Sequence, residues 1–132
     1  MRIVLDSNVL MAALGTHGLC EPLMGKCLEK CEVFVSEYLL EETARHLVDK
    51  FGFKSDEVAE AVAFLRAEAL LVNPSPISAD ACRDPKDLPV LGTAQAAEAD
   101  CLVTGDKDLL VLQRFGKPEI LSPRQFYDKL RD

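Results

Sequence analysis

Ile3-Val4-Leu5-Asp6-Ser7-Asn8 opens the chain with a continuous apolar run ended by a polar cluster. A run with no polar alternation is the mark of a strand buried on both faces, as in parallel sheets covered by helices on either side. The polar cluster then falls at the strand's C-terminal end, where open α/β sheets place their ligands. Further along, Glu32-Val33-Phe34-Val35, Leu70-Leu71-Val72, Cys101-Leu102-Val103 and Glu119-Ile120-Leu121 repeat the short apolar strand pattern, the last as a short edge strand.

Helical stretches separate these strands. A helix is expected over residues 9–14, stopped near Gly15 and Gly18, and a second over residues 19–30. Ser36 is suited to cap a third, whose apolar residues Leu39, Leu40, Thr43, Ala44, Leu47, Val48 and Phe51 recur at helical spacing before Gly52. Ser55 or Asp56 would cap a fourth. Asp84-Pro85-Lys86-Asp87 opens a fifth, and residues 109–115 form a short one. Ser122-Pro123-Arg124-Gln125 supplies a cap, a proline at the first position and a Gln three residues after the cap for the last helix. Strand–helix alternation of this kind predicts an α/β fold, a three-layer α/β/α sandwich around a mostly parallel sheet. With 132 residues and no low-complexity linker, one domain spanning 1–132 is expected.

Composition narrows the function. Net charge is −7 and Trp is absent, which argues against a general basic groove or an aromatic platform for bases. The five cysteines are odd in number, with no Cys-x-x-Cys pair. They read as free thiols in a reducing compartment rather than a disulfide framework or a zinc site. The apolar start is too short for a signal peptide and no stretch has transmembrane length, so a cytoplasmic location away from membranes is expected.

The acids carry the chemical signal. Asp6 ends the first strand, Asp106 and Asp108 follow the fourth, Asp84 and Asp87 open the helix before it, and Glu42 lies early in the helix after the second. All can converge above one sheet edge, where clustered carboxylates need a counter-charge. An oxygen-only donor set suits Mg²⁺ or Mn²⁺, which can assist phosphoryl displacement. There is no P-loop and no Gly-x-Gly-x-x-Gly after the first strand. Local alternatives stand beside this reading: Asp84 as a helix cap, Asp87 as an ordinary first-turn acid, and Glu42 paired with His46 four residues on. Glu37 and Glu41 read as solvated, and His17 lies in a Gly-rich loop with nothing to fix it near a substrate.

These motifs together resemble the PIN-domain family, in the branch described as toxins of toxin–antitoxin systems. The resemblance runs from Ile3-Val4-Leu5-Asp6-Ser7-Asn8-Val9-Leu10 through Ser36-Glu37-Tyr38-Leu39-Leu40-Glu41-Glu42 and Arg83-Asp84-Pro85-Lys86-Asp87 to Thr104-Gly105-Asp106-Lys107-Asp108-Leu109. It implies Asp6, Glu42, Asp87 and Asp106 as the catalytic, metal-holding acids around Mg²⁺ or Mn²⁺, with Asp108 completing the shell or holding a second ion. Ser7, Asn8 and Thr104 would orient water or a carboxylate, and Lys107, Arg83 and Lys86 would face phosphate. The implied activity is metal-dependent endoribonuclease cleavage of RNA, with an antitoxin protein as partner and a homodimer by family likeness. The dimer faces on offer are around Leu39 and Leu47 or around Val58 and Phe64. The alternative is a nucleic-acid-binding or protein-interaction module on the same fold with little activity.

Overall fold

Apolar runs with no polar alternation need cover on both faces, and the chain provides it for all but the edge run Leu70-Leu71, whose side chains stay about half exposed. The structure is a computed structural model that describes residues 1–16, 18 and 20–131. His17, singled out above, lies outside the described residues. Five strands form one sheet: β1 (Arg2–Leu5), β2 (Glu32–Val35), β3 (Leu70–Leu71), β4 (Cys101–Val103) and β5 (Glu119–Leu121). Their order is β3-β2-β1-β4-β5, and every pairing is parallel. β1 is central, with Val4 facing Phe34 on one side and Leu102 on the other.

Residue alternation along β1 divides the core in two. Ile3 and Leu5 pack with Val33, Val35 and Val103 against α1 (Ser7–Gly15), α2 (Cys20–Lys30) and α7 (Pro123–Arg131), the last through Phe126. Val4 joins Phe34, Leu102 and Ile120 against α5 (Leu88–Ala96) and Leu109 of α6 (Lys107–Leu110). α3 (Glu37–Phe51) serves both clusters, Leu40 entering the first and Leu39 the second, while α4 (Ser55–Glu68) adds Leu65 to the first. The expected three-layer α/β/α arrangement with a parallel sheet is what the chain adopts.

Boundaries differ from expectation where a polar side chain starts a helix early. α1 begins at Ser7 rather than residue 9, because Asp6 itself caps it and accepts from the Ser7 N–H at 2.7 Å. α4 starts after Lys54, not after a Ser55 or Asp56 cap, and Glu57 accepts from the Lys54 N–H at 2.9 Å. α6 lies over Lys107–Leu110 rather than 109–115: Asp106 caps it, and Gln113 turns into the left-handed region at φ 62°. Other stops follow the sequence. Gly52 at φ 65° ends α3, donating to Val48 O, and Phe53 N–H closes the motif on Leu47 O. Ser122 and Gln125 bond reciprocally ahead of α7.

Leu39 and Leu47 are fully buried, so the first of the two suggested dimer faces is core and offers nothing to a partner. Phe64 of the second stays 41% exposed. Cys27 and Cys101 are buried, and Cys20, Cys31 and Cys82 are partly so; all five thiols are free. No described helix is long and apolar enough to cross a membrane.

α5 is brought close to the preceding loop by a glycine. A Cβ on Gly92 would collide with the Ser75 carbonyl and press Pro74 Cβ at 3.2 Å, while Ser75 N–H donates to Gly92 O at 2.9 Å. Gly92→Ala should therefore destabilise the protein by about 1–3 kcal/mol through overpacking, despite alanine's higher helix propensity. Denaturant unfolding checks this; equal or greater stability in the variant would contradict it.

Candidate metal centre

Three loops at the C-terminal edge of the sheet bring acids together because each loop turns at once into a helix capped by an acid. Asp6 leaves β1 and caps α1; Asp84 caps the 3-10 turn Pro85–Asp87; Asp106 follows β4 and caps α6. An N-cap carboxylate uses one oxygen on backbone N–H groups, which fixes where its other oxygen points. Asp84 accepts from Lys86 N–H at 3.0 Å and Asp106 from Asp108 N–H at 2.9 Å.

Asp6, 4% exposed, is held on every side. Thr104 Oγ1 donates to its Oδ2 at 2.7 Å, and Asn8 Nδ2 approaches the same oxygen at 3.4 Å. The Thr104 hydroxyl in turn accepts from Asp106 N–H at 3.0 Å, and Gly105 N–H donates to Asn8 Oδ1 at 3.0 Å. This mesh locks the β1 and β4 loops to each other. Ser7 Oγ reaches Glu42 Oε1 at 3.5 Å, which ties α1 to α3 more loosely. Tyr38 OH donates to the Lys86 carbonyl at 2.8 Å and pins the turn that carries Asp87 to the start of α3.

Asp87, Asp106 and Asp108 each place a carboxylate oxygen so that the three lie within 4.8 Å of one another. Asp87 is 7% exposed, and its Oδ2 is buried without a hydrogen-bond partner. Burial, then the Asp106 charge and a bond with that side chain, then Asp84 and Asp6, push the Asp87 carboxyl up to about 7. Asp6 is also raised, chiefly by burial, with Asp106 and Glu42 adding to it and bonds from Thr104 and Ser7 opposing it. Burial, with Glu42, Asp87 and Asp6 nearby, pushes the Tyr38 hydroxyl up to about 12. An orphaned carboxylate oxygen among other acids is what a hard divalent cation would satisfy, and the donor set is oxygen alone. The residues fit a hard divalent cation.

Asp6 and Glu42 line the same cavity of about 300 Å³ as Asp87 and Asp106, but stand outside the three-oxygen group. Ser7, Asn8 and Lys86 line it too. Arg83 and Lys107, expected near phosphate, are exposed and do not line it. Glu42 pairs with Arg45 at 2.8 Å rather than with His46. A guanidinium three residues on reaches the carboxylate in a bidentate-capable geometry that a ring cannot match. Arg45, His46 and Lys50 line the cavity, and sequence reading passed over Arg45 and Lys50. Their signal was there: positions 3, 4 and 8 after Glu42 share its helical face. Size alone does not locate chemistry here, since a hollow of about 440 Å³ beside Pro74, Ile77 and Leu88 has no titratable group in its wall.

Comparison with known proteins bears on the family and the fold. The PIN domain family profile matches residues 2–108. Among solved structures, one is similar over 92% of this chain and 98% of its own, with TM-score 0.66 and 14% identity: a chain of VapBC2 from Rickettsia felis, bound to a DNA fragment from their promoter. At that identity the likeness is one of fold. A search of curated protein sequences finds no match.

The raised Asp87 carboxyl has a consequence for stability. Its proton is held more tightly folded than unfolded, so its contribution is complete below the ordinary value of 3.8 and is lost as pH rises through about 7. Asp87→Asn should remove that loss, so the metal-free variant should melt several degrees above metal-free wild type near pH 8, with the gap closing toward pH 5. Mn²⁺ should raise the wild-type melting temperature more at pH 8 than at pH 5, since ligation displaces the proton. Melting curves over this range check both; a variant melting below wild type at pH 8 would contradict the assignment.

Proposed function

The chain belongs to the PIN domain family, and on that premise we propose that it is a Mg²⁺- or Mn²⁺-dependent endoribonuclease. The observation that carries the proposal is the Asp87–Asp106–Asp108 oxygen cluster with the buried, unpartnered Asp87 Oδ2. In this reading Asp87, Asp106 and Asp108 hold the cation, and Asp6 and Glu42 complete its surroundings from the cavity side. When bound, the cation would supply charge against the phosphoryl oxygens and make a water a better nucleophile.

The protein's own groups then set position. The Thr104 hydroxyl and the Asn8 amide take up one oxygen of Asp6 and hold its carboxylate in a single orientation. Arg45 bonds one oxygen of Glu42, and Ser7 approaches the other. Lys86, on the cavity wall, can meet a phosphate oxygen. Burial and the neighbouring acids hold the Asp87 carboxyl above the ordinary carboxylate range, and a bound cation would displace its proton. The likeness to VapBC2 and the sequence resemblance to toxins of toxin–antitoxin systems support an antitoxin protein as partner. RNA is the substrate the same resemblance favours.

Asp87→Asn, Asp106→Asn and Asp6→Asn should each lower Mn²⁺-dependent cleavage of RNA by about 100-fold or more, because the charge that holds the cation is lost while shape is kept. Thr104→Val should weaken metal affinity by about 10–100-fold, the usual cost of removing a group that orients a ligand. Asp84→Asn should be mild, since Asn caps nearly as well. The assay is cleavage of single-stranded and hairpin RNAs with Mn²⁺, Mg²⁺ or chelator, using Asp6→Asn protein purified identically to expose contaminating ribonuclease. Equal cleavage by wild type and Asp6→Asn, or no metal-dependent cleavage, would move the reading to a binding module on the same fold.

A further inference from the structure

We propose that one face of α3 is a phosphate track that leads a single-stranded polynucleotide into the acidic cavity, with Arg45, His46 and Lys50 as its contacts. A protein of net charge −7 has no general attraction for a polyanion. Any approach must use a local positive strip, and the cavity has one. Arg45, His46 and Lys50 line it from α3, and Lys86 lines it from the 3-10 turn across the opening.

The two lysines of this set are not spent on a surface acid, as some other surface cations are. Arg66 binds Glu37 through both guanidinium nitrogens, Lys117 lies 3.6 Å from Asp100, and Lys129 lies 3.3 Å from Glu119. Lys50 and Lys86 share a cavity with five carboxylates, Asp6, Glu42, Asp84, Asp87 and Asp106, yet among the described residues neither amino group closes an ion pair. Arg45 spends one nitrogen on Glu42 and keeps most of its five donors free, its side chain 58% exposed.

The spacing suits a chain of phosphates rather than a single one. From Arg45 to Lys50 the helix rises about 7.5 Å, at roughly 1.5 Å per residue. A strand stacked at about 3.4 Å per nucleotide would lay about two phosphates along that length. The cavity, about 300 Å³, is small, which favours a single strand over a duplex. Few aromatic rings are available for stacking, so recognition falls on the backbone and should be tolerant of base sequence. The track rests on the ribonuclease reading only for which end of it meets the scissile bond; binding is independent.

The test is fluorescence anisotropy of the full chain with a labelled 12-nucleotide single strand, as RNA and as DNA of the same sequence, across a salt series. Ca²⁺ is present because its oxygen preference matches the site. Lys50→Gln should weaken binding several-fold and reduce the slope of log affinity against log salt by about 0.7, and Arg45→Gln with Lys50→Gln by about 1.4, as one and two phosphate contacts are lost from a single strand. The charge-matched control is Lys30→Gln with Lys129→Gln, at residues close to Cys31 and Cys101 by the opposite sheet edge; it should keep the wild-type slope. An unchanged slope in Lys50→Gln, an equal loss in the control, or no binding of either strand by wild type overturns the track. Cleavage by the same preparations separates the two ideas. Metal-dependent cleavage with an unchanged slope sinks the track alone, and a reduced slope without metal-dependent cleavage sinks the ribonuclease reading alone.

Discussion

A carboxylate buried at the end of a central strand must be bonded or neutralised, and the way Asp6 meets that demand organises the whole C-terminal edge of the sheet. Its backbone N–H continues the β1–β4 ladder to Val103 O at 2.9 Å, and its carbonyl accepts from Val9 and Leu10 as α1 begins. Its carboxylate takes the Ser7 N–H and the Thr104 hydroxyl. One residue therefore ends a strand, starts a helix and joins the loop of the neighbouring strand. With the β1 and β4 loops locked together, Asp106 has a fixed position, and with it the three-oxygen cluster.

Stability and chemistry pull against each other at this edge. Burial and crowding raise Asp6 and Asp87, so the ionised metal-free site costs folding energy that an apolar edge would not. The structure carries that cost on a rigid frame. Tyr38 fastens the Lys86 carbonyl, Arg45 draws on Glu42, and the Thr93 hydroxyl of α5 donates to Ser36 Oγ at 2.8 Å within the core that supports α3. A buried, crowded group of acids holds protons above the ordinary carboxylate range, and a small hard cation can take their place on the same oxygens.

The distribution of charge matters more than its sum. The net value of −7 argued against nucleic acid when read from composition. Folding gathers Arg45, Lys50 and Lys86 in the wall of the acidic cavity, from α3 and from the 3-10 turn, while Arg66, Lys117 and Lys129 pair with surface acids. A polyanion meets the local field within roughly one Debye length, about 8–10 Å, and beyond that the net charge is largely screened.

By itself the sequence determined the parallel α/β sandwich and the acids that meet at one edge. Short apolar runs such as Ile3-Val4-Leu5 demand cover on both faces, and an acid placed just after such a run, as Asp6 and Asp106 are, must emerge at the strand's C-terminal end. Those are local facts, written into consecutive residues. Which acids come within ligand distance, which cations face them and which helix faces are core are decided by packing between segments far apart in the chain. Asp108 joins Asp87 because the start of α6 and the 3-10 turn come together above the sheet edge, and Glu42 takes Arg45 rather than His46 as its partner although both lie on its helical face. Leu39 and Leu47, equally apt by spacing for an interface, are core because that same packing covers them. Helical periodicity tells which residues share a face, and only the tertiary structure tells what that face meets.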